Sequence, residues 1–454
     1  MALQSKSIQN TIAFMLAILG LALDPETGIN TLAEDSGDTR SGRFLALVTP
    51  LAAMLWLAMC TSSAAAAAQY KVLHNFVYQN GDGFAPEATL IFDAHGNLYG
   101  TTIAGGTACE PPGCGVVFEL SPGSNGSWNE SLLVDFNGSD GSSSVAPVVF
   151  DSRGNLYGST KSGGSAGNGT VFELVPGNVG AWTEMVLHSF TGGVDGGQPE
   201  SGITFDTSGH LYGTASAGGL NGGGVSFSIG GGNLPGGASV LHSFGGATDG
   251  NQPSGSLSSD ASGNLYGTTW AGGAYQLGCV FELVRDPLSG DWTETVIYSF
   301  DGPDGANPYG GVIRDEAGNL YGTTYAGGTD GVGTVFKLTA NSGGSWSETV
   351  LHSFATGTGD GGNPYSGLTF DPQGNLYGTT NSGGSGEHGT VFRLTPMPTG
   401  QWSETILHGF TGRLDGGWPV GGVVLDSAGN IYGTTDMGGT GGIENGGVVF
   451  EITP

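Results

Sequence analysis

Two series of aspartates recur through this chain at a separation that never changes. The first falls at Asp82, Asp140, Asp195, Asp249, Asp304, Asp360 and Asp415, each followed by glycine. Eleven residues later stands the second: Asp93, Asp151, Asp206, Asp260, Asp315, Asp371 and Asp426. Short carboxylates at fixed positions can cap backbone amides in tight turns, and clustered they can hold a hard cation. The second series precedes x-x-Gly-Asn, or Gly-His at His210, and reads as a turn cap. The first series would ring one face of a closed structure, which makes it the candidate calcium set, although turn formation alone accounts for the spacing. No cofactor is otherwise required.

Other residues with chemical capacity repeat too regularly to mark one site. His188, His242 and His352 occur in "LHSF", His408 in "LHGF" and His74 in "LHNF". Equivalent positions on separate units lie too far apart to share a metal, so a structural role is expected. Trp128, Trp182, Trp292, Trp346 and Trp402 open one strand in five copies. Stacking on sugars is open to them, but packing between neighbouring units explains them as well. No HExxH, P-loop, nucleophile elbow or Cys/His cluster occurs.

What must position these residues is a repeat. The phrase "GNLYGTT" and its variants places a tyrosine at Tyr99, Tyr157, Tyr212, Tyr266, Tyr321, Tyr377 and Tyr432, between 54 and 58 residues apart. Each copy contains four short apolar runs bounded by Gly, Pro, Asn or Asp, which are strand signals. A single sheet of that size cannot bury its faces alone, whereas a ring of such sheets can. The expectation is an all-β fold, a seven-bladed β-propeller with four antiparallel strands per blade. "GLTFD" would be innermost and "ETVLHSF" outermost. Residues 70–76, "YKVLHNF", form an outermost strand with no blade ahead of it, and "VVFEITP" at the end lacks a fourth strand. The first should complete the last blade, so the propeller spans residues 69–454.

The unit "GNLYGTT…GG…GTVFEL" resembles the GloVer tandem repeat of exported bacterial proteins over residues 70–454. The resemblance implies an extracellular or cell-surface location. It carries no established activity and no catalytic residues. The end at Pro454 shows no sorting tail, so C-terminal anchoring is not expected.

Where seven copies agree, a site should show where they differ. The Tyr-to-Phe distance across the second turn is 15 residues in five copies, but 19 from Tyr99 to Phe118 and 18 from Tyr432 to Phe450. These longer loops hold Cys109, Glu110, Cys114 and Glu444 on adjoining blades. Loops on a rigid scaffold are common binding elements. The residue before the second Asp is apolar in five copies but becomes Ser259 and Arg314 in the fourth and fifth. Ser259, Arg314, Glu110 and Glu444 are therefore the candidate ligand-binding residues.

The chain holds 11 Lys plus Arg against 40 Asp plus Glu, a formal charge of −29. Nucleic acid and anionic membranes, which require cationic surfaces, are not expected partners. Its 89 glycines suit many tight turns. Arg40 and Arg43 precede an apolar run, Phe44 to Met59, and then Ala64–Ala68, the layout of a secretory signal cut near Ala68. Residues 1–68 read as a leader outside the fold. Leu57-Ala58-Met59-Cys60 is a poor lipoprotein box, since Met59 stands where a small residue is expected. Outside the cell, Cys109 and Cys114 would form a local disulfide, and Cys279 would fill a buried site. The functional expectation is a secreted, monomeric binding or scaffold module for a glycan or protein. The alternative is a propeller enzyme of lactonase, lyase or glycosidase type, with its site at the central channel.

Overall fold

In a computed structural model, the described residues are 68–454 apart from 78–80, 207, 231–236, 247, 358 and 441–444, plus two short strands further upstream. The chain divides into units 1–67 and 68–454. In the first, Leu21–Asp24 pairs antiparallel with Gly28–Thr31. The expected signal run from Arg40 to Ala67 lies outside the described residues. No helix among the described residues is long and apolar enough to cross a membrane.

The second unit is a seven-bladed β-propeller, with each blade a four-stranded antiparallel sheet. The fifth blade shows how one copy of the repeat folds. Its strands, inner to outer, are Ile313–Arg314, Leu320–Thr324, Thr334–Ala340 and Trp346–Ser353. The first turn is built by Asp315. Its Oδ1 accepts the Asn319 amide at 2.8 Å, and its Oδ2 accepts the Asn319 side chain at 2.7 Å and the Tyr321 hydroxyl at 3.0 Å. The tyrosine-to-aspartate bond recurs in all seven blades, at 3.0–3.4 Å. The invariant Asp–Asn–Tyr spacing is therefore one capped turn. Gly322 faces Phe336 across the next strand pair. A Cβ there would stand 2.6 Å from the Phe336 ring, so glycine lets the ring lie across the strand.

The core lies between blades rather than within them, because each thin sheet has two apolar faces to cover. One cluster joins Tyr266 and Val280 of the fourth blade to Val312, Leu320, Phe336 and Leu338 of the fifth, around Phe300. The "HSF" phenylalanine of one blade meets the third-strand phenylalanine of the next at 4.9–5.3 Å at all seven seams. The seam tryptophans pack likewise: Trp292 lies 5.8 Å from Tyr212 and Trp346 lies 6.2 Å from Tyr266. Edge-to-face rings at these distances are attractive beyond the area they bury.

A second tie runs nearer the axis. The first hydroxyl residue after "YG" on each second strand donates to a backbone carbonyl of the following blade. Thr268 reaches Gly310 O at 3.0 Å, Thr323 reaches Ser366 O at 2.7 Å and Thr379 reaches Gly421 O at 2.9 Å. Thr101, Ser159 and Thr214 continue the series, and Thr434 closes it onto Ala88 O at 3.2 Å. Backbones of neighbouring blades touch there: a Cβ on Gly310 would lie 2.3 Å from the nitrogen of Gly367.

The ring closes as its two incomplete ends require. Gln69–Val77 pairs with Asn445–Thr453, Gln69 opposite Thr453, and becomes the outermost strand of the last blade. It runs one residue further at each end than expected. Tyr70 stacks on His408 at 4.0 Å and donates to Asp415 O at 2.6 Å, fastening this strand to the sixth blade as well.

Thr268→Val keeps the side-chain shape and leaves the Gly310 carbonyl buried without its donor. Urea unfolding should show a loss of about 1–3 kcal/mol. An unchanged midpoint would remove the hydroxyl belt as a source of stability.

Candidate functional site

Between each Asp-Gly turn and the innermost strand runs a short segment that reaches the axis. Its pattern is Gly-x-x-Pro in six copies, with Ser144 in place of proline in the second. The residue before that proline is left-handed in every blade: Ala85, Ser143, Gln198, Gln252, Asn307, Asn363 and Trp418, with φ between 53° and 57°. Glycine supplies this conformation almost everywhere else in the chain. Here a side chain is kept, at a cost on the order of 1 kcal/mol each. The conformation is held from the preceding blade. Asn307 N donates to Leu277 O at 2.7 Å, Gln252 N to Gly223 O at 2.8 Å and Trp418 N to His388 O at 2.7 Å.

This geometry places three rings of side chains around one mouth. The first is the left-handed set. The second is the residue after the "TT" pair: Ile103, Lys161, Ser216, Trp270, Tyr325, Asn381 and Asp436. The third follows the proline: Glu87, Val145, Glu200, Ser254, Tyr309, Tyr365 and Val420. All seven of the third ring line a single axial cavity of about 100 Å³. Within an otherwise regular repeat, these positions differ in chemistry from copy to copy.

One arc of the mouth is aromatic. Tyr309 and Tyr365 have ring centroids 4.3 Å apart, Tyr325 lies 5.4 Å from Tyr365, and Trp270 lies 5.5 Å from Tyr325 and 5.9 Å from Tyr309. Beside it Glu200 takes Lys161 Nζ on Oε1 at 2.7 Å and the Tyr309 hydroxyl on Oε2 at 3.0 Å. Gln198 and Gln252, both exposed, share with Glu200, Trp270, Tyr309 and Tyr365 a pocket of about 250 Å³. Burial first, and then the Glu200 charge, pushes the Tyr309 hydroxyl far above its usual value, so it stays a donor. On the other side, burial pushes Glu87 up to about 7, with the Asp436 and Glu200 charges adding to it and Lys161 opposing. Burial alone raises Asp436 to about 6. Burial thus favours the protonated form of both carboxyls, Glu87 more than Asp436, near an ion-paired third.

A larger cavity, about 490 Å³, opens between the fifth and sixth blades beside Asp360 and Glu387. Its rim is rich in glycine, and its lining comes from two neighbouring blades only. The mouth is the better candidate because unlike side chains from several blades converge on it.

The residues singled out from sequence lie elsewhere. Arg314 and Ser259 are exposed on their two-residue strands and do not line the mouth pockets. Their position faces the preceding blade: Phe150 packs edge-on against Tyr99 at 5.0 Å, and Phe205 against Tyr157 at 5.1 Å. The channel is lined by the segment before the inner strand, so the monotony of those strands says nothing about its chemistry. Cys109 and Cys114 form the expected disulfide, with Cα atoms 5.6 Å apart, and Cys279 is free and buried. Glu110 is exposed on that loop, while Glu444 lies outside the described residues. The seven turn aspartates each sit at a separate seam and accept backbone amides. Asp82 takes Val77 N at 2.9 Å and Gly83 N at 2.7 Å, and Asp140 takes Asn137 N at 2.9 Å. Asp195, Asp249, Asp304, Asp360 and Asp415 each bind an amide in the same way.

Comparison with known proteins agrees with this architecture. The Gloeobacter/Verrucomicrobia repeat matches residues 61–204, 110–290, 178–359 and 287–454. The chain belongs to that repeat family. No curated protein matches it. Among solved structures it is similar to an ancestral GH74 enzyme, at 11% identity and TM-score 0.50, covering 85% of this chain and 51% of that one. A putative 6-phosphogluconolactonase from Bacteroides uniformis matches at 15% identity and TM-score 0.46, covering 72% and 86%. A putative oxidoreductase (glucose dehydrogenase) from Thermus thermophilus matches at 16% and 0.39, covering 85% and 100%. At such identities the likeness concerns the fold.

The raised Glu87 carboxyl has a consequence for stability. Its folded value, about 7, lies above its ordinary 4.5, so the fold favours the protonated form. Stability should fall as pH rises from about 4.5 through 7. Glu87→Gln should therefore gain about 1–3 kcal/mol over the native chain at pH 8, and the gain should vanish below about pH 4. Urea midpoints across this range measure it, and a pH-independent difference would contradict the buried-carboxyl account.

Proposed function

We propose that the protein is an exported carbohydrate-binding propeller whose site is the channel mouth between the third and sixth blades. The observation that carries this reading is the arc of Trp270, Tyr309, Tyr325 and Tyr365 beside the Glu200–Lys161 pair. Sugar rings offer apolar C–H faces to aromatic side chains and hydroxyls to planar carboxylates and amides. Here Glu200, Gln198 and Gln252 supply the polar set. A pocket of about 250 Å³ suits one or two sugar residues at a chain end. The acidic surface argues for a neutral or basic glycan over a polyanion. Export is supported by the Cys109–Cys114 disulfide, a bond typical of oxidising compartments.

A catalytic version of the same site has one observation in its favour. Burial raises Glu87 to about 7 near the ion-paired Glu200, and unlike carboxyls in one cleft can serve as acid and base. In that reading Glu87 protonates a leaving oxygen, as in glycosidic cleavage.

A glycan array followed by calorimetry tests the binding reading. Trp270→Ala should weaken the best ligand at least tenfold, and Glu200→Gln several-fold, with unfolding midpoints little changed. Ligands that bind equally well to both variants would place the site elsewhere. If the array ligand is cleaved on incubation, Glu87→Gln should abolish cleavage while retaining binding.

A further inference from the structure

Away from the channel, three seams each bring together a histidine, an aspartate and a glutamate: His74, Asp82 and Glu130; His242, Asp249 and Glu294; His352, Asp360 and Glu404. Each trio draws on three elements. The histidine ends the outer strand of one blade, the aspartate belongs to the crossing turn, and the glutamate lies on the outer strand of the next blade. In every trio one ligand atom per residue lies within 4.8 Å of the other two.

The shortest separations are hydrogen bonds as they stand, and they also fall in the range that ligands around one ion span. His352 Nε2 stands 3.2 Å from Asp360 Oδ2 and 3.5 Å from Glu404 Oε1. His242 Nε2 is 3.1 Å from Asp249 Oδ2. His74 Nε2 is 3.5 Å from Asp82 Oδ1 and 3.8 Å from Glu130 Oε1. Two ligands on a tetrahedral ion with bonds of about 2.0–2.1 Å lie about 3.3 Å apart. His74 Nε2 and the Oε1 atoms of Glu130, Glu294 and Glu404 are closed off from solvent, as are those of Glu184 and Glu348 in two seams without the histidine. One imidazole nitrogen cannot donate to both carboxylates at once, whereas one ion can bond to all three groups. The aspartates are already oriented by backbone amides: Asp249 takes Gly250 N at 2.7 Å and Gly245 N at 3.2 Å, as outer-shell support requires. One imidazole with two carboxylates suits zinc-class ions; calcium prefers six to eight oxygens.

The other four seams lack one ligand, and another residue stands in its place. Tyr298 replaces the histidine and donates to Asp304, while the Glu348 Oε1 stays unpartnered. Ala238 replaces the glutamate, and its amide meets His188 Nδ1 at 3.4 Å. Tyr70 replaces it at the closing seam and stacks on His408. Val134 replaces the histidine opposite Asp140 and Glu184, and there the Glu184 Oε1 stays unpartnered.

We propose that the three complete trios each bind a divalent ion of the zinc class, three per chain, clamping neighbouring blades together. The chain's own repeats supply the tests, since valine and alanine already stand at these positions in folded seams. Tag-free full-length protein, stripped with chelator and dialysed against zinc, should retain three zinc ions per chain by elemental analysis. His352→Val and Glu404→Ala should each reduce the count to two, and Val134→His should raise it to four. Zinc should raise the unfolding temperature of the stripped protein, and calcium should not. Zinc counts that none of these substitutions moves, or stripped protein that retains no zinc, would overturn the proposal.

Discussion

The hydroxyl belt is the constraint on which the rest of the propeller depends. Each donor stands on a buried second strand, and its acceptor belongs to the next blade, in a place closed to water. A buried carbonyl left without a partner costs more than the bond contributes when made, so every blade must sit where its neighbour's hydroxyl can reach. That requirement draws the axial segments together until backbones touch, which is why Gly310, Gly367 and Gly421 stand there. It also leaves too little room for a gradual approach. The chain reaches the axis through a left-handed residue, and that residue's side chain, with its neighbours, is presented at the mouth.

Much of this architecture was legible because the repeat states it seven times. The blade count, the strand order and the completion of the last blade by the first strand follow from two ends that each lack what the other has. The cysteine pair flanking Glu-Pro-Pro-Gly was legible from its close spacing together with the expected oxidising compartment. Aromatic residues such as Trp346 and Tyr266 were weighed as packing residues, and they pack against each other across a seam.

The mouth was hidden by an error about which residues face the axis. Ser259 and Arg314 drew notice because they break the apolar pattern of the inner strand. A two-residue strand at a seam turns that side chain toward the neighbouring blade, as Phe150 does toward Tyr99. The informative positions were the ones beside proline, where Glu87, Glu200, Tyr309 and Tyr365 stand in an otherwise fixed frame. The seam trios were hidden differently. Each joins one strand's histidine to the glutamate of the next copy, so no single repeat contains a complete set.

The pairing of Gln69–Val77 with Asn445–Thr453 joins the two ends of the propeller across nearly its whole length. Closing so long a loop costs on the order of 5 kcal/mol in chain entropy, all of it at the last step of assembly. Until Phe450 and its neighbours arrive, the first strand is an unpaired edge with an apolar face, and the seventh blade lacks its outer strand. Such an edge can recruit the wrong strand, including one from another copy, during the interval. The ring therefore behaves as a clasp that fastens only once Asn445–Thr453 has been made. A chain from which Asn445–Thr453 has not yet emerged would remain open at its final seam.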